Sequence, residues 1–126
     1  VSILYTLFLI FLCTSIINIM NFMDGLDSLL TLSIIIFFLI LSISYSSTYL
    51  ILLSSLIPFL FYNWPPSRVF MGDVGSTFLG AIVFAAIVER NNLTESLSLM
   101  IVICPLLLDA SICILRRFLI DHFIME

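Results

Sequence analysis

Lysine is absent from this 126-residue sequence, and charged residues of every kind make up only 10% of it. Without lysine the chain cannot form a P-loop, a Schiff-base site or a Ser–Lys dyad. The net charge is −4, and the four arginines form no basic patch, which excludes a nucleic-acid-binding protein. The three cysteines, Cys13, Cys104 and Cys113, lie in apolar stretches. They are predicted to be small buried hydrophobic residues, not disulfides or metal ligands.

Apolar residues take the place of the missing charge, because 63% of the sequence is hydrophobic. Soluble domains contain about 45–50% apolar residues, so this composition excludes an ordinary soluble domain and a disordered chain. It predicts an all-α integral membrane protein. The sequence opens at Val1 with no basic segment before the first apolar run, which a secretory signal would need. We therefore expect a fragment, or a chain whose true start is missing.

Five apolar stretches are predicted to cross the membrane, since one crossing needs about 20 apolar residues, with a range of about 17–25. They are residues 1–18, 28–44, 49–63, 74–88 and 96–115. The uncharged segment 28–67 is too long for one crossing, and the hydroxyl-rich segment 44–48 divides it. Pro65 and Pro66 end the third helix because neither can donate a backbone hydrogen bond. The chain is thus predicted to be a single membrane domain, 1–126.

Alternating crossings place three of the four arginines on one side of the membrane and Arg90 on the other. The three are Arg68, Arg116 and Arg117. Because arginine is enriched in cytoplasmic loops, that side is predicted to be the cytoplasm. Two polar loops, about 19–27 and 64–73, then face the same cytoplasmic water.

These two loops and their flanks carry the polar residues that indicate chemistry. They include Asn18, Asn21, Asp24 and Asp27 in the first segment and Asn63, Gly72 and Asp73 in the second. Each Asp at a helix centre in lipid costs about 2.5–3.5 kcal/mol, so we expect the carboxylates at the interface or in a polar cavity. Carboxylate and amide oxygens favour Mg²⁺ or Mn²⁺ over zinc.

Phosphate chemistry is the reaction class that this arrangement favours. Mg²⁺ is usually held by one or two protein side chains together with substrate phosphates. Gly72 opens the fourth span, where a glycine allows backbone amides to approach a diphosphate and the helix dipole favours its charge. Taken alone, Gly72-Asp73-x-Gly75-Ser76 fits an ordinary interfacial turn equally well.

Two long motifs in order carry a resemblance to a known family. Asn-x-x-Asn-Phe-Met-Asp-Gly-Leu-Asp at 18–27 is followed by Asn-Trp-Pro-Pro-Ser-x-x-Phe-Met-Gly-Asp-x-Gly-Ser at 63–76. The pair resembles polyprenyl-phosphate N-acetylhexosamine-1-phosphate transferases (glycosyltransferase family 4) and, more distantly, phospho-MurNAc-pentapeptide transferases. The resemblance covers essentially the whole chain. It implies the middle of a bundle of ten or eleven membrane helices in the bacterial inner membrane, with the active site on the cytoplasmic face.

The resemblance also implies a reaction. Members transfer a sugar-1-phosphate from a UDP-N-acetylhexosamine to undecaprenyl phosphate with release of UMP, as the initiating step of a cell-surface polysaccharide such as O-antigen. By resemblance, Asn21 and Asp73 match positions that ligate Mg²⁺, with Mn²⁺ as an alternative, and Asp24 matches an acidic position of the catalytic cluster. Asp24 and Asp73 are therefore the predicted catalytic residues.

The same resemblance implies the residues that bind the substrate. Asp27 matches a position that contacts the uracil, Phe70 matches the ring that stacks on it, and Asn63 matches an active-site polar residue. Gly72 completes the predicted substrate-binding set. Membrane lipid is the expected surrounding, and a homodimer is left open.

The sequence also departs from the family pattern. An earlier Asp-Asp-x-x-Asp loop and a later basic loop containing histidine are absent, and His122 is interpreted as a tail residue. Because those loops supply groups for the lipid phosphate and the sugar in the family, residues 1–126 alone are expected to be inactive. Ser28 stands where many members have Gly. Two alternatives stay open: a transporter or channel segment with an acidic cation site, and a membrane subunit without chemistry. The identity of the UDP-sugar and of the polysaccharide is open as well.

Overall fold

The computed structural model describes residues 2–124, which form five α-helices and the turns between them. The helices are α1 (Ile3–Met23), α2 (Leu29–Ser44), α3 (Tyr49–Asn63), α4 (Gly72–Val88) and α5 (Leu93–Ile124). The prediction of an all-α chain is thereby confirmed for this part of the molecule. The side chain of His122 lies outside the part whose side chains are described.

Two of these helices are long and apolar enough to cross a membrane, by length and composition. They are Ile3–Met23 and, within α5, Leu93–Arg117. The other three are apolar but have only 15 to 17 residues. Large apolar side chains also cover the outer surface, with Phe61 79% exposed and Val74 86% exposed. This surface is consistent with a membrane protein, whereas five crossings stay a prediction.

The first helix is longer than the sequence pattern indicated. We expected it to end near residue 18, but it continues to Met23, so residues 19–23 are helical and the turn begins at Asp24. The polar Asn18 and Asn21 do not end the helix because its apolar residues continue on the inner face. Met20 and Met23 are fully buried there.

The remaining helices lie close to the predicted stretches. The helix α2 starts after Ser28, which has a φ of 57°, and α3 ends at Asn63, just before Trp64 and the prolines. The helix α4 begins at Gly72, two residues earlier than expected, and α5 extends beyond the predicted 96–115 at both ends. The connections of the bundle are therefore short.

Packing pairs α1 with α4 and α2 with α3, while α5 contacts α1, α2 and α4. The buried core comes from all five helices and includes Ile16, Met20, Phe37, Phe38, Leu53, Val83, Ala86, Leu99 and Ala110. The contact between α1 and α4 is close at Gly80, where an added Cβ would lie 3.1 Å from the Cα of Ile17. A glycine at this position lets the two helices approach each other.

Hydroxyl groups in the apolar helices bond to carbonyl oxygens of their own helix. Such bonds are made by Ser33 to Leu29, Ser42 to Leu39, Ser54 to Ile51, Ser55 to Leu52 and Ser111 to Leu107, at 2.6–2.8 Å. Each hydroxyl thus has a partner within its own helix. Such a bond would satisfy the hydroxyl even in an apolar surrounding, so serine is compatible with these apolar helices.

The connections lie at two opposite ends of the bundle. The turn 24–28 and the loop 64–71 meet at one end, which we call the site end. The connections 45–48 and 89–92 meet at the other, the far end, where the Arg90 guanidinium lies 4.4 Å from the centre of the Tyr45 ring. Because Asp24 contacts the start of α4, the helices α1 and α4 run antiparallel and both bring their polar residues to the site end.

Candidate active site

Asp24 joins the end of α1 to the start of α4. Its Oδ1 accepts a hydrogen bond from the Met71 amide at 3.1 Å, and its Oδ2 accepts one from the Gly72 amide at 2.7 Å. Its own amide caps α1 by donating to the Met20 and Asn21 carbonyls. Asp24 is only 9% exposed. A carboxylate at the amino end of a helix is stabilised by unpaired amides and by the helix dipole.

Asp73 and Asn21 meet across the same two helices. The Nδ2 of Asn21, in the last turn of α1, donates to the Oδ1 of Asp73 in the first turn of α4 at 3.3 Å. Gly72, just before Asp73, has a φ of +71°, a conformation that glycine adopts without the penalty of a Cβ. The Asp73 side chain is exposed, and the Asn21 side chain is half-buried. This pair therefore presents oxygen atoms to solvent.

Asn63 is buried and hydrogen-bonded within the chain. Its Oδ1 accepts from the Ser28 amide at 3.1 Å and from the Thr31 hydroxyl at 2.7 Å, and its Nδ2 donates to the Val69 carbonyl at 2.9 Å. The residue is 2% exposed. Asn63 therefore ties the start of α2 to the loop before α4, and its role toward a substrate stays a prediction.

Asp27 and Phe70 lie on the surface of the site end. The Oδ2 of Asp27 accepts a hydrogen bond from the Ser67 amide at 3.4 Å, which joins the turn to the loop. Asp27 is exposed, and Phe70 is 48% exposed. Both side chains are thus accessible to a ligand. The Ser67 hydroxyl donates to the Asn63 carbonyl at 2.7 Å, which fixes the loop near Phe70.

The donor set can be tested for a metal ion. Among the residues whose side chains are described, no three of His, Cys, Asp and Glu converge into a group that could hold a metal. Mg²⁺ commonly takes only one or two protein carboxylates and completes its octahedron with water and substrate phosphates. The exposed Asp73 with the neighbouring Asn21 fits that pattern, whereas both oxygens of Asp24 already accept backbone hydrogen bonds.

A family model matches residues 1–91, which include both polar segments of the site end, and the family is described as glycosyl transferase family 4. The chain belongs to this family. The resemblance drawn from the two motifs is confirmed by this match. The residues that match the family model thus include α1 to α4 and the connections between them, which carry every predicted site residue.

Curated relatives of this family 4 chain carry transferase names. It is 37% identical over 87 residues to the "Probable undecaprenyl-phosphate N-acetylglucosaminyl 1-phosphate transferase" of Bacillus subtilis (strain 168), covering 64% of this chain and 22% of that protein. It is 54% identical over 43 residues to the phospho-N-acetylmuramoyl-pentapeptide-transferase of Helicobacter hepaticus, covering 33% of this chain and 12% of the relative. The chain therefore spans about a fifth of the first relative and about an eighth of the second. No solved structure shows a significant match.

The family 4 site also uses groups that the sequence pattern did not indicate. Thr31, in the first turn of α2, bonds to Asn63, and Ser67 bonds to the Asn63 carbonyl. The amides of Met71 and Gly72 bind Asp24. Hydroxyl residues are common throughout this sequence, and backbone amides leave no trace in it. No local signal therefore distinguishes these groups before the helices are packed.

Proposed function

We propose that this family 4 chain takes part in the transfer of an N-acetylhexosamine-1-phosphate from a UDP-sugar to undecaprenyl phosphate, with release of UMP. The observation that carries the proposal is the contact between Asn21 and Asp73, which joins the two polar motifs across α1 and α4. The name of the Bacillus subtilis relative contains undecaprenyl phosphate and an N-acetylglucosaminyl 1-phosphate group, and the UDP form of the donor follows from the resemblance of the two motifs. The product is a lipid diphosphate sugar that starts a cell-surface polysaccharide.

The reaction is a displacement at phosphorus. An oxygen of the lipid phosphate forms a bond to the β-phosphorus of the UDP-sugar, and the bond from that phosphorus to the oxygen of UMP breaks. The electron pair of the broken bond leaves with UMP. Catalysis of such a transfer consists mainly of holding the reactants in line and stabilising negative charge.

Asp73 and Asn21 are the residues that would hold Mg²⁺. When bound, the ion neutralises charge on the diphosphate and on the departing phosphate. The exposure of Asp73 leaves its carboxylate accessible to such an ion, and the hydrogen bond from Asn21 orients it. Mn²⁺ has the same preference for oxygen ligands and is the expected substitute.

Phe70 and Asp27 are proposed to bind the uridine part of the donor. Phe70 offers an exposed aromatic face, on which a base can stack with about 1–3 kcal/mol. The Asp27 carboxylate accepts hydrogen bonds from N–H groups and has an exposed side chain for that purpose. Both residues belong to the turn and loop that Asn63 and Ser67 hold together.

We also propose that the site end faces the cytoplasm of a bacterial inner membrane. The support is the excess of arginine at that end in the five-crossing arrangement. Single cysteines introduced at Arg68 and Asn92, which are both exposed, into a variant without Cys13, Cys104 and Cys113 test this orientation. A membrane-impermeant thiol reagent added to intact cells should label position 92 only. Labelling of both positions from one side would refute the arrangement.

The activity is tested in membranes that contain the full-length protein that carries this segment, with undecaprenyl phosphate, Mg²⁺ and a panel of UDP-N-acetylhexosamines. UMP and a lipid-linked sugar should form together. Asp73→Asn should lower kcat by at least ~10²-fold, or about 2.7 kcal/mol, because it removes a charge from the ion site.

Glu89→Gln is the matched control, since Glu89 is an exposed carboxylate at the far end with 72% of its side chain accessible. It should turn over like the unmodified protein. Absence of lipid-dependent UMP release with every donor, or normal turnover by Asp73→Asn, would refute the proposed function.

A further inference from the structure

We infer that Asp24 is a positioning residue of this site: it holds the first two amides of α4 and thereby fixes Asp73 opposite Asn21. Its catalytic consequence rests on the proposed function. The sequence resemblance placed Asp24 among the catalytic residues. The structure gives this carboxylate a different set of contacts, all of them with the backbone.

The Asp24 carboxylate is held by backbone amides through both of its oxygens. Each of its oxygens accepts one backbone amide, from Met71 at 3.1 Å and from Gly72 at 2.7 Å, and the residue is 9% exposed. A carboxylate held in this way has little access for a metal ion or a reacting phosphate. Asp73 differs in exposure and in its hydrogen-bond partner, because its side chain is exposed and accepts from the side-chain amide of Asn21.

Asp24 is linked to Asp73 through the backbone of Gly72. Gly72 directly precedes Asp73 and is the first residue of α4. Its φ of +71° is not a helical value, so the helix does not by itself fix the backbone at this residue. The Asp24 bond therefore fixes the residue that turns the chain into the helix. Asn21 lies three residues before Asp24 on α1, so the same helix end carries the amide partner of Asp73 and the anchor of its backbone.

The negative charge of Asp24 lies between the ends of two helices. Asp24 caps the carboxyl end of α1, where a negative charge is unfavourable, and this end abuts the amino end of α4, where it is favourable. The amides of Met71 and Gly72 are occupied by Asp24, so they are not free for a diphosphate. Accordingly, we assign Gly72 to the anchoring of α4, and the diphosphate is left to Asp73, Asn21 and the ion that they would hold.

The two hydrogen bonds that Asp24 accepts from Met71 and Gly72 can be tested by removing the acceptor or one of the donors. Asp24→Ala removes both acceptor oxygens, whereas Asp24→Asn keeps one. Met71→Pro removes one donor at a residue whose φ of −67° suits proline. Met71→Ala is its control, because it removes the same side chain but keeps the amide.

The expected activities follow a graded and coupled pattern. In membranes that contain the protein, Asp24→Ala should lower kcat/KM about 10²-fold, the loss typical of a misplacement of about 1 Å. Asp24→Asn should recover about tenfold of that loss and keep the pH profile of kcat. Met71→Pro should fall about tenfold below Met71→Ala. In the Asp24→Ala background, the difference in kcat/KM between Met71→Pro and Met71→Ala should shrink to less than about twofold, because the hydrogen bond from the Met71 amide to Asp24 is already absent.

A residue that reacts directly would behave differently. Asp24→Asn would then be as inactive as Asp24→Ala, or would lose a limb of the pH profile, and the ratio of Met71→Pro to Met71→Ala would be unchanged when Asp24 is replaced. Any of these results would overturn the positioning role.

Hydrogen exchange on the purified protein gives a readout that is independent of activity. Asp24→Ala should speed exchange in peptides that contain the Met71 and Gly72 amides and leave exchange at residues 89–95 unchanged. Unchanged exchange at 71–72, or faster exchange throughout the bundle, would overturn the inference. If no donor supports UMP release but the local exchange increases, the proposed function fails while the anchoring of α4 by Asp24 is supported.

Discussion

The two ends of the bundle use polar residues in different ways. At the site end, Asp24, Asp27 and Asn63 each bond to the backbone of a segment 35 or more residues away in sequence. At the far end, Arg90 is the main polar link. Its guanidinium lies over the Tyr45 ring and 3.5 Å from the Tyr49 hydroxyl, while its ion pair is with the adjacent Glu89.

The contrast indicates that the site end positions particular residues, whereas the far end only holds the helices together. At the site end, hydrogen bonds position two short segments. Several of these bonds pair a side chain with a backbone amide that has no partner within its own helix or turn. The far end needs only to hold two short connections together, and the partly buried Arg90 cation over an aromatic ring is enough. Substitutions at the site end should therefore change both geometry and activity, whereas those at the far end should change stability alone.

The largest effect on stability is expected for Asn63→Ala. It leaves the buried Ser28 amide and the buried Thr31 hydroxyl without their acceptor, and it also removes the donor to the part-buried Val69 carbonyl. Each unpaired buried group costs about 1–3 kcal/mol. We expect a loss of about 3 kcal/mol in unfolding experiments in detergent, and lower activity. Asn91→Ala, at an exposed asparagine of the far end, should change stability by less than about 0.5 kcal/mol. Equal losses for the two would remove the difference between the ends.

Phe70→Leu tests whether the exposed ring of the site end contributes to binding. If the uracil stacks on Phe70, the variant should lose about 1–3 kcal/mol, mainly as a higher KM for the UDP-sugar. Phe70→Tyr keeps the aromatic face and should be milder. Initial rates over a range of UDP-sugar concentrations provide the measurement. Similar effects of Leu and Tyr would show that Phe70 only packs against the protein.

Arg90→Gln should weaken the far end without affecting the reaction. It removes the cation from the Tyr45 ring and the bond from Nε to the Ala86 carbonyl. We expect a loss of about 1 kcal/mol in unfolding experiments and an unchanged kcat/KM per folded protein. Glu89→Gln should cost less, because an exposed pair contributes little. A drop in kcat/KM for Arg90→Gln would show that the two ends are coupled.

The smallest effect is expected for Ser28→Gly, and it is stabilising. Ser28 has a φ of 57°, which costs a residue with a Cβ about 1–2 kcal/mol relative to glycine. The greater freedom of glycine in the unfolded chain offsets part of that gain, so we expect an increase below about 1 kcal/mol. Ser33→Gly, within α2, should have the opposite sign. Destabilisation by both would show that the strain at Ser28 is relieved by its contacts.

Much of the helical layout could be predicted from the sequence because apolar runs and prolines are local signals. The prediction of 49–63 for the third stretch coincides with α3, since Pro65 and Pro66 mark its end. The end of α1 could not be predicted in the same way. Asn18 and Asn21 suggested a loop, but burial of Met20 and Met23 against the other helices keeps the segment helical.

The candidate site was predictable as a set of residues but not as a set of contacts. Charge cost and crossing parity indicated that the two polar segments lie together, and the hydrogen bonds between them agree. The division between the exposed Asp73 and the buried Asp24 depends on how α1 packs against α4. Two aspartates look alike in a sequence, and only the packing determines which one faces solvent.

The close contact at Gly80 makes the geometry of the site sensitive to helix tilt. Asp73 lies seven residues from Gly80 along α4, or about 10 Å at 1.5 Å per residue. With the Gly80–Ile17 contact as a pivot, a tilt of about 5° between α1 and α4 moves the Asp73 end by about 0.9 Å. That is close to the displacement of about 1 Å that can cost ~10²-fold in rate. Bilayer thickness alters the tilt of membrane helices, so a change in thickness would move Asp73 and thereby change the turnover rate.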